Sequence, residues 1–231
     1  MKQKNVLRCS TILFLTGICL AAVAAVPVHA QLLGQVTTAK TLQPGTQDLG
    51  GYLGAFDGAT TVFGQYRRGI SSNVDFGVQA GIIDHGPDAS VIFGGDLKFN
   101  IMSTATDPFD LALDARSSFY DVGSVSVFAL GGSVIISRDY PLTQGTLLTP
   151  YGGVNVRIEH ASFDYDGSNF EGMSARRLNI GAAAAVDDNE TDLDIGGVAG
   201  VKWELSDLID ALGEVVIDDD WGLVIGLNFK L

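Results

Sequence analysis

Cysteine is scarce in this sequence, and the exported part is expected to have none. The two residues present, Cys9 and Cys19, both lie among the first thirty positions, which have the features of a signal peptide. The residues before Cys19 lack the leucine and the small residue that a lipoprotein site needs. We therefore expect no disulfide and no thiolate metal site, so that stability has to come from burial and backbone pairing.

Positive charge is scarce as well. The sequence holds 14 Lys and Arg against 27 Asp and Glu, a formal net charge of −13. Lys2, Lys4 and Arg8 leave with the signal peptide, which makes the exported part more acidic still. We expect no nucleic-acid partner, because the phosphates would be repelled.

Long apolar runs are limited to one, and it is short for a transmembrane helix. It covers residues 12–26, follows the basic start, and leads to a small-residue cleavage site at residues 28–30. This order is that of a secretory signal peptide, so we predict a signal over residues 1–30, export through the Sec pathway and cleavage before Gln31. No later run approaches the roughly 20 residues of a membrane-spanning helix, so a membrane form of the exported part would cross with strands.

Alternation of apolar and polar residues dominates the chain from about Asp48 onward. A period of two residues is typical of β-strands. The last strand shows it best, with one face made of Trp221, Leu223, Ile225, Leu227, Phe229 and Leu231. The pattern predicts ten strands, near residues 48–57, 60–68, 73–83, 89–101, 108–119, 122–137, 147–163, 191–205, 210–218 and 221–231. Eight or twelve strands also fit, because residues 174–186 are ambiguous.

The polar faces of these strands carry charges of both signs. In a barrel such side chains point into the lumen and pair there, while the apolar faces meet lipid. The predicted fold class is therefore all-β, an antiparallel up-and-down transmembrane β-barrel. The predicted lumen charge network consists of Asp96, Lys98, Asp114, Arg116, Arg157, Glu159, Lys202 and Glu204. In the alternative, a soluble periplasmic β-sandwich or lipocalin-like binding protein, the same charges would face water.

The sequence predicts that the exported chain has one barrel domain, residues 48–231, preceded by a short N-terminal stretch. Residues 31–47 are polar, contain Pro44-Gly45 and lack alternation, so we expect them to form a poorly ordered periplasmic lead. A ten-stranded barrel that begins and ends in the periplasm places its longest connection, residues 164–190, outside the cell.

The end of the chain resembles the C-terminal assembly signal of bacterial outer-membrane β-barrels. Gly226, Phe229 and Leu231 occupy the glycine, third-last and last positions of that signal, although the family most often ends in an aromatic residue. Residues 50–54, 63–69 and 219–223 also resemble small barrels of the OmpA-like or porin-like type. The resemblance covers about residues 48–231. It implies location in the outer membrane, contact with outer-membrane lipid and lipopolysaccharide, and insertion by the barrel-assembly machinery, and it leaves activity and oligomeric state open.

Residues suited to catalysis or metal binding are few. Only His85 and His160 remain in the exported part. The ten-stranded omptin hydrolases, which the strand count resembles, use Asp and His at the barrel rim, but neither histidine here has an omptin motif around it. The acidic stretch 164–169 lacks the further ligands and the distal Glu of a calcium loop. We therefore predict no catalytic residue, no metal and no cofactor.

These observations favour a non-enzymatic outer-membrane barrel with a structural, surface-interaction or narrow-channel role. About ten strands enclose a lumen that side chains largely fill, whereas open diffusion pores use about sixteen. Two alternatives stay open at this point, an omptin-like surface enzyme using His85 or His160 and a soluble periplasmic binding protein.

Overall fold

The computed structural model describes residues 33–56, 59–84, 89–122, 125–142, 145–163, 189–217 and 221–231. These residues form eleven strands, ten long and one very short. The strands are β1 (Gln47–Phe56), β2 (Ala59–Ser71), β3 (Val74–Asp84), β4 (Ala89–Met102), β5 (Asp110–Val122), β6 (Val125–Ser137), β7 (Tyr140–Pro141), β8 (Leu147–Phe163), β9 (Asn189–Ser206), β10 (Ile209–Ile217) and β11 (Trp221–Lys230). Within the described ranges no helix is long and apolar enough to cross a membrane.

The long strands close into a barrel. Each pairs antiparallel with its neighbours in the chain, β6 pairs with β8, and β1 pairs with β11 to complete the ring. β7 only extends the connection from β6 to β8, where Tyr140 faces Leu148. The prediction of a closed antiparallel barrel of ten strands is thus confirmed, with strand ends within three residues of those expected. β7 was not expected.

The barrel is apolar outside and mostly polar inside. Burial alternates along each strand, and the exposed residues are the apolar ones. In β11, Leu223, Ile225 and Leu227 are exposed while Val224 and Asn228 are buried. Since the apolar face lies outside, the chain is not a soluble sandwich or lipocalin-like binder, whose apolar residues would line the interior.

Part of the inner wall is apolar, which the alternation did not reveal. The inward apolar side chains belong mainly to β1–β4 and β10–β11, and are Tyr52, Phe56, Ala59, Phe63, Ile83, Ile92, Leu212, Val216 and Val224. Inward glycines make room for the rings: Tyr52 lies across Gly226, and Phe56 across Gly222. A side chain at either glycine would collide with the ring, so glycine and aromatic residue are paired across the two strands.

Residues 33–42, which we call the N-terminal segment, lie inside the barrel. Sequence analysis expected a poorly ordered periplasmic lead over residues 31–47, but Leu33 to Ala39 are all buried. The chain leaves the lumen at the end where β1 begins and β11 ends, which we call the terminal end. There Gly45, in a left-handed conformation (φ 85°), donates its amide to Gly69 O and turns the chain into β1. The segment lacks alternation because side chains of the wall surround it.

Candidate functional site: the occupied lumen

A buried ion-pair cluster lies on the inner face of β2, β3 and β4. The Arg67 guanidinium bridges Asp75 and Asp96, with 2.6 Å between Arg67 Nη2 and Asp96 Oδ2. Lys98 Nζ lies 3.4 Å from the second oxygen of Asp75. All four side chains are buried, so each charge relies on these partners rather than on water.

The eight residues of the predicted charge network all lie on inward-facing positions, and two ion pairs form within this set, each between neighbours on one strand rather than across the lumen. Arg116 Nη2 is 2.7 Å from Asp114 Oδ2, and Arg157 Nε is 2.9 Å from Glu159 Oε1. The other four take partners that sequence reasoning missed. These pairs are Asp96 with Arg67, Lys98 with Asp75, Lys202 with Asp210 and Glu204 with Lys230.

The missed partners have the same inward parity as the residues that were named. Asp210 in β10 and Lys230 in β11 could have been found by extending the alternation to the strand ends. Arg67 and Arg68 are adjacent, and only the fold shows that Arg67 is the buried one and Arg68 the exposed one.

Glu214 holds the inner end of the N-terminal segment. Its carboxylate accepts the backbone amides of Gln35 (2.6 Å) and Val36 (2.8 Å) and the hydroxyl of Tyr151 (2.7 Å). Gly34 (φ 51°) and Val36 (φ 43°) are both in the left-handed region, and this turn aims successive amides at one carboxylate. Val36 is strained there because its side chain is β-branched, so the surroundings must impose the turn.

Lys98 holds the middle of the segment. Its ammonium donates to Thr37 Oγ1 (2.7 Å), to the carbonyl of Thr38 (2.9 Å) and to that of Lys40 (2.8 Å). All three ammonium hydrogens are thereby used on the segment. Lys98 is fully buried, and these acceptors together with Asp75 satisfy its charge.

Side-chain contacts fix the register of the segment. The side-chain amide nitrogen of Gln35 donates to Asp114 Oδ2 (3.2 Å), and its side-chain carbonyl oxygen accepts from Ser133 Oγ (3.1 Å). Leu33 and Val36 pack into the apolar part of the wall. The segment is therefore held at a defined place in the lumen.

A salt bridge outside the lumen ties the segment to the terminal end. Lys40 Nζ contacts Asp139, which lies between β6 and β7 and also accepts from Thr149 Oγ1 (2.7 Å). Burial by itself would raise the pKa of the Asp139 carboxyl, but the hydrogen bonds from Lys40 and Thr149 outweigh it and hold the pKa below its ordinary value.

Two cavities lie on either side of the segment. One is lined by Leu33 together with Arg116, Tyr120 and Glu159 in the half away from the terminal end. The other lies in the terminal half and is lined by Asp48 and by the segment residues Val36, Thr37, Thr38, Lys40 and Leu42. The segment contributes to both linings and lies between them.

The predicted assembly-signal residues belong to the closing strand. Phe229 and Leu231 point outward and are exposed, while Gly226 points inward beneath Tyr52. The Leu231 amide donates to Gln47 O (2.8 Å), so backbone pairing with β1 continues to the last residue.

The described residues bring no catalytic set together. His160 Nδ1 lies 3.2 Å from Thr191 Oγ1, while its neighbour Glu159 faces the lumen and contacts Arg157. His85 and residues 164–188 lie outside the described residues, as do the acidic stretch and most of the connection expected outside the cell. In the part of the chain that is described, no three His, Cys, Asp or Glu side chains cluster as a metal site would require.

Known proteins are similar to this chain in fold only. No protein-family model and no curated protein matches the sequence. The N-terminal β-barrel domain of Pseudomonas aeruginosa OprF is 11% identical, with 82% of this chain and 100% of that chain covered and a TM-score of 0.38. The KdgM porin is 8% identical (80% and 99% covered, TM-score 0.39), and OprG from Pseudomonas aeruginosa is 13% identical (84% and 99%, TM-score 0.36). These structural neighbours are outer-membrane β-barrel proteins.

Proposed function

We propose that this protein is a non-enzymatic β-barrel of the outer membrane whose lumen is closed to solutes by its own N-terminal segment. Its role is then structural or one of surface interaction rather than diffusion. The observation that carries this proposal is the position of residues 33–42 between the two cavities of the lumen. Outer-membrane lipid and lipopolysaccharide surround such a barrel, and the barrel-assembly machinery inserts it.

The surface of the barrel supports the membrane location. Large apolar side chains are exposed on every long strand, from Leu53 in β1 to Ile225 in β11. Water would disfavour such a surface, whereas a bilayer core favours it. Most charged side chains of the strands point inward, as a lipid-facing wall requires, because a charge near the bilayer midplane costs about 2–4 kcal/mol. The exposed Arg68 lies near the terminal end, opposite Gln47 at the start of β1.

Conductance in planar bilayers tests the closure. The full-length mature protein is expected to show no steady current. A variant in which residues 33–42 are replaced by alternating Ser and Pro, with proline at the even positions, should show discrete openings. The replacement keeps the chain length, but proline cannot adopt the left-handed conformation of positions 34 and 36 and has no amide to donate to Glu214. Large, long-lived channels in the unaltered protein would overturn the proposal, and so would a folded replacement variant that stays silent.

A reversible lock supplies the matched control. Ala39 donates its amide to Ser137 Oγ at 3.2 Å, so these two positions lie side by side. The double variant Ala39→Cys/Ser137→Cys introduces the only two cysteines of the exported chain. Any brief openings of the native protein should disappear when this pair is oxidised and return when it is reduced.

The orientation of the barrel is tested at the longest connection. We propose that residues 164–190 lie outside the cell. An epitope tag inserted near Gly172 should then be detected on intact cells, and trypsin should cut near Arg176 or Arg177 while the strands stay protected. Detection only after the outer membrane is opened would reverse this orientation.

A further inference from the structure

The wall of the lumen recognises the backbone of the N-terminal segment more than its side chains. Four segment carbonyls accept hydrogen bonds from wall side chains, those of Gly34, Thr38, Ala39 and Lys40. Four segment amides donate to wall side chains, those of Gln35, Val36, Ala39 and Leu42. Such bonding along one extended stretch is that of a peptide-binding groove.

Acidic side chains of the wall bind the backbone amides of the segment, and a basic side chain binds its backbone carbonyls. Glu214 accepts hydrogen bonds from backbone amides of the segment, and Lys98 donates hydrogen bonds to its backbone carbonyls. Nearer the terminal end, Asp75 accepts a hydrogen bond from the Leu42 amide (2.9 Å). Hydrogen bonds to charged groups are stronger than those between neutral groups. The wall thus carries fixed donors and acceptors matched to a backbone with a left-handed turn near its inner end.

We infer that the inner wall is a binding site for a peptide whose buried side chains are uncharged, that residues 33–42 are its resident ligand, and that the same peptide supplied as a separate molecule occupies the same place. The inference rests on the proposed closure of the lumen by this segment. It assigns the lumen a ligand class, a peptide with small or apolar side chains that enters amino terminus first from the terminal end.

The attachment of the segment supports exchange with a separate peptide. The segment adds no strand to the sheet, and the wall closes through β1–β11 and β6–β8 pairing without it. Its link to β1 is the turn at Gly45, where the Pro44–Gly69 bridge is isolated. The covalent link therefore raises the local concentration of the segment without shaping the groove.

Burial limits which peptides fit. Leu33, Val36 and Ala39 are at most 3% exposed, so a charged side chain at these places would be desolvated without a partner. The Gln35 side chain is recognised specifically, because it donates a hydrogen bond to Asp114 and accepts one from Ser133. Position 36 favours glycine over other residues because of its left-handed conformation.

Peptide binding to the Ser/Pro replacement variant, whose lumen is free of its own segment, tests the inference directly. The probe is a synthetic peptide of residues 31–43, labelled with a fluorophore at its carboxyl end, and the readout is fluorescence anisotropy. We expect saturable binding. N-methylation of the Gln35 and Val36 amides should weaken binding about tenfold or more, because it removes both donors to a charged acceptor. The matched control peptide carries Thr38→Ala, which keeps every backbone group and should bind within about twofold of the parent.

The outcomes separate this inference from the proposed closure. A replacement variant that conducts but does not bind the peptide overturns the inference and leaves the closure standing. Equal binding of the N-methylated and unmodified peptides also overturns it, because the backbone would then not be the recognised feature. A folded replacement variant that does not conduct overturns the closure itself.

Should the replacement variant fail to fold, the intact protein answers the same question. Hydrogen exchange at the Gln35 and Val36 amides is measured in the native chain and in Glu214→Gln. Protection is expected to fall about tenfold in that variant, because a charged acceptor is replaced by a neutral one. The matched control is Glu204→Gln, since Glu204 pairs with Lys230 at the terminal end and should leave these amides unchanged. Unaltered protection in Glu214→Gln would overturn the inference.

Discussion

The two ends of the described chain solve the same physical problem in different ways. β11 is the closing strand, and its backbone groups are satisfied by ladders with β1 and β10. The N-terminal segment also lies within the barrel, but its backbone groups are satisfied by side chains such as Glu214 and Lys98. Both ends obey the rule that buried amides and carbonyls need partners.

The difference determines how each end responds to substitution. A ladder uses only backbone groups, so it tolerates most side chains provided that the alternation and the inward glycines are kept. A segment bound by side chains depends on a few particular wall residues that lie far from it in sequence. Damage to β11 should therefore prevent assembly, whereas damage to the segment's partners should free the segment inside a barrel that still forms.

The largest expected effect comes from shortening the closing strand. Deleting residues 229–231 removes the Phe229 pairing with Leu49 and Ile209 and the final bond to Gln47 O. The variant should fail to reach the outer membrane, as measured by fractionation and by heat-dependent mobility on gels. Replacing residues 33–42 by alternating Ser and Pro is the comparison, and this variant should assemble in near-normal amount. Equal assembly of the two variants would remove the distinction between the ends.

Substitution of Lys98 tests how much the hydrogen bonds to the N-terminal segment contribute to stability. Lys98→Met removes three donors to the segment and leaves Asp75 short of a partner, so unfolding in urea should become easier by about 3 kcal/mol. The matched control Lys202→Met changes a half-buried lysine near Asp210 and should have an effect below about 1 kcal/mol. A Lys98 variant as stable as the control would mean that the segment contributes little to the fold.

Gly226 tests the packing of the closing strand. A methyl group there would collide with the Tyr52 ring and with the carbonyl of Gly51. Gly226→Ala should therefore destabilise the barrel by about 2 kcal/mol, a typical effect of overpacking. Gly213→Ala is the control, because nothing lies within 4 Å of its added carbon. Similar unfolding curves for the two variants would contradict the glycine–aromatic pairing.

The smallest effect concerns pH at the Lys40–Asp139 salt bridge. Because the pKa of Asp139 is lowered in the folded protein, the pair stabilises the segment fully above the ordinary aspartate value of 3.8 and is lost as pH falls through the folded pKa. Protection of the Lys40 amide from hydrogen exchange should drop in that range by no more than about 1 kcal/mol, since the pair is partly exposed. Asp139→Asn should abolish this pH dependence, and an unchanged profile would show that another group is responsible.

The strands of the barrel wall and part of its charge network could be predicted from the sequence. Alternation located ten strands because a lipid-facing wall forces every second residue to be apolar. Its parity put Asp114, Arg116, Arg157 and Glu159 on the inner face. The ion pairs that Arg116 forms with Asp114 and Arg157 with Glu159 are known only from the structure. The alternation missed Arg67 and Asp75, which contact each other through strand register rather than sequence spacing. The inward aromatic rings were also missed, because their partners are glycines on another strand.

The sequence by itself determined the barrel, because the apolar-outside pattern is a local property that repeats in each strand. Only the tertiary structure decided where residues 33–42 lie. Nothing in that stretch alternates, and its partners Lys98 and Glu214 are more than fifty residues away in the chain. A polar, irregular stretch reads as a disordered lead unless side chains of a closed wall converge on its backbone. That convergence exists only after β1 has paired with β11 and β6 with β8.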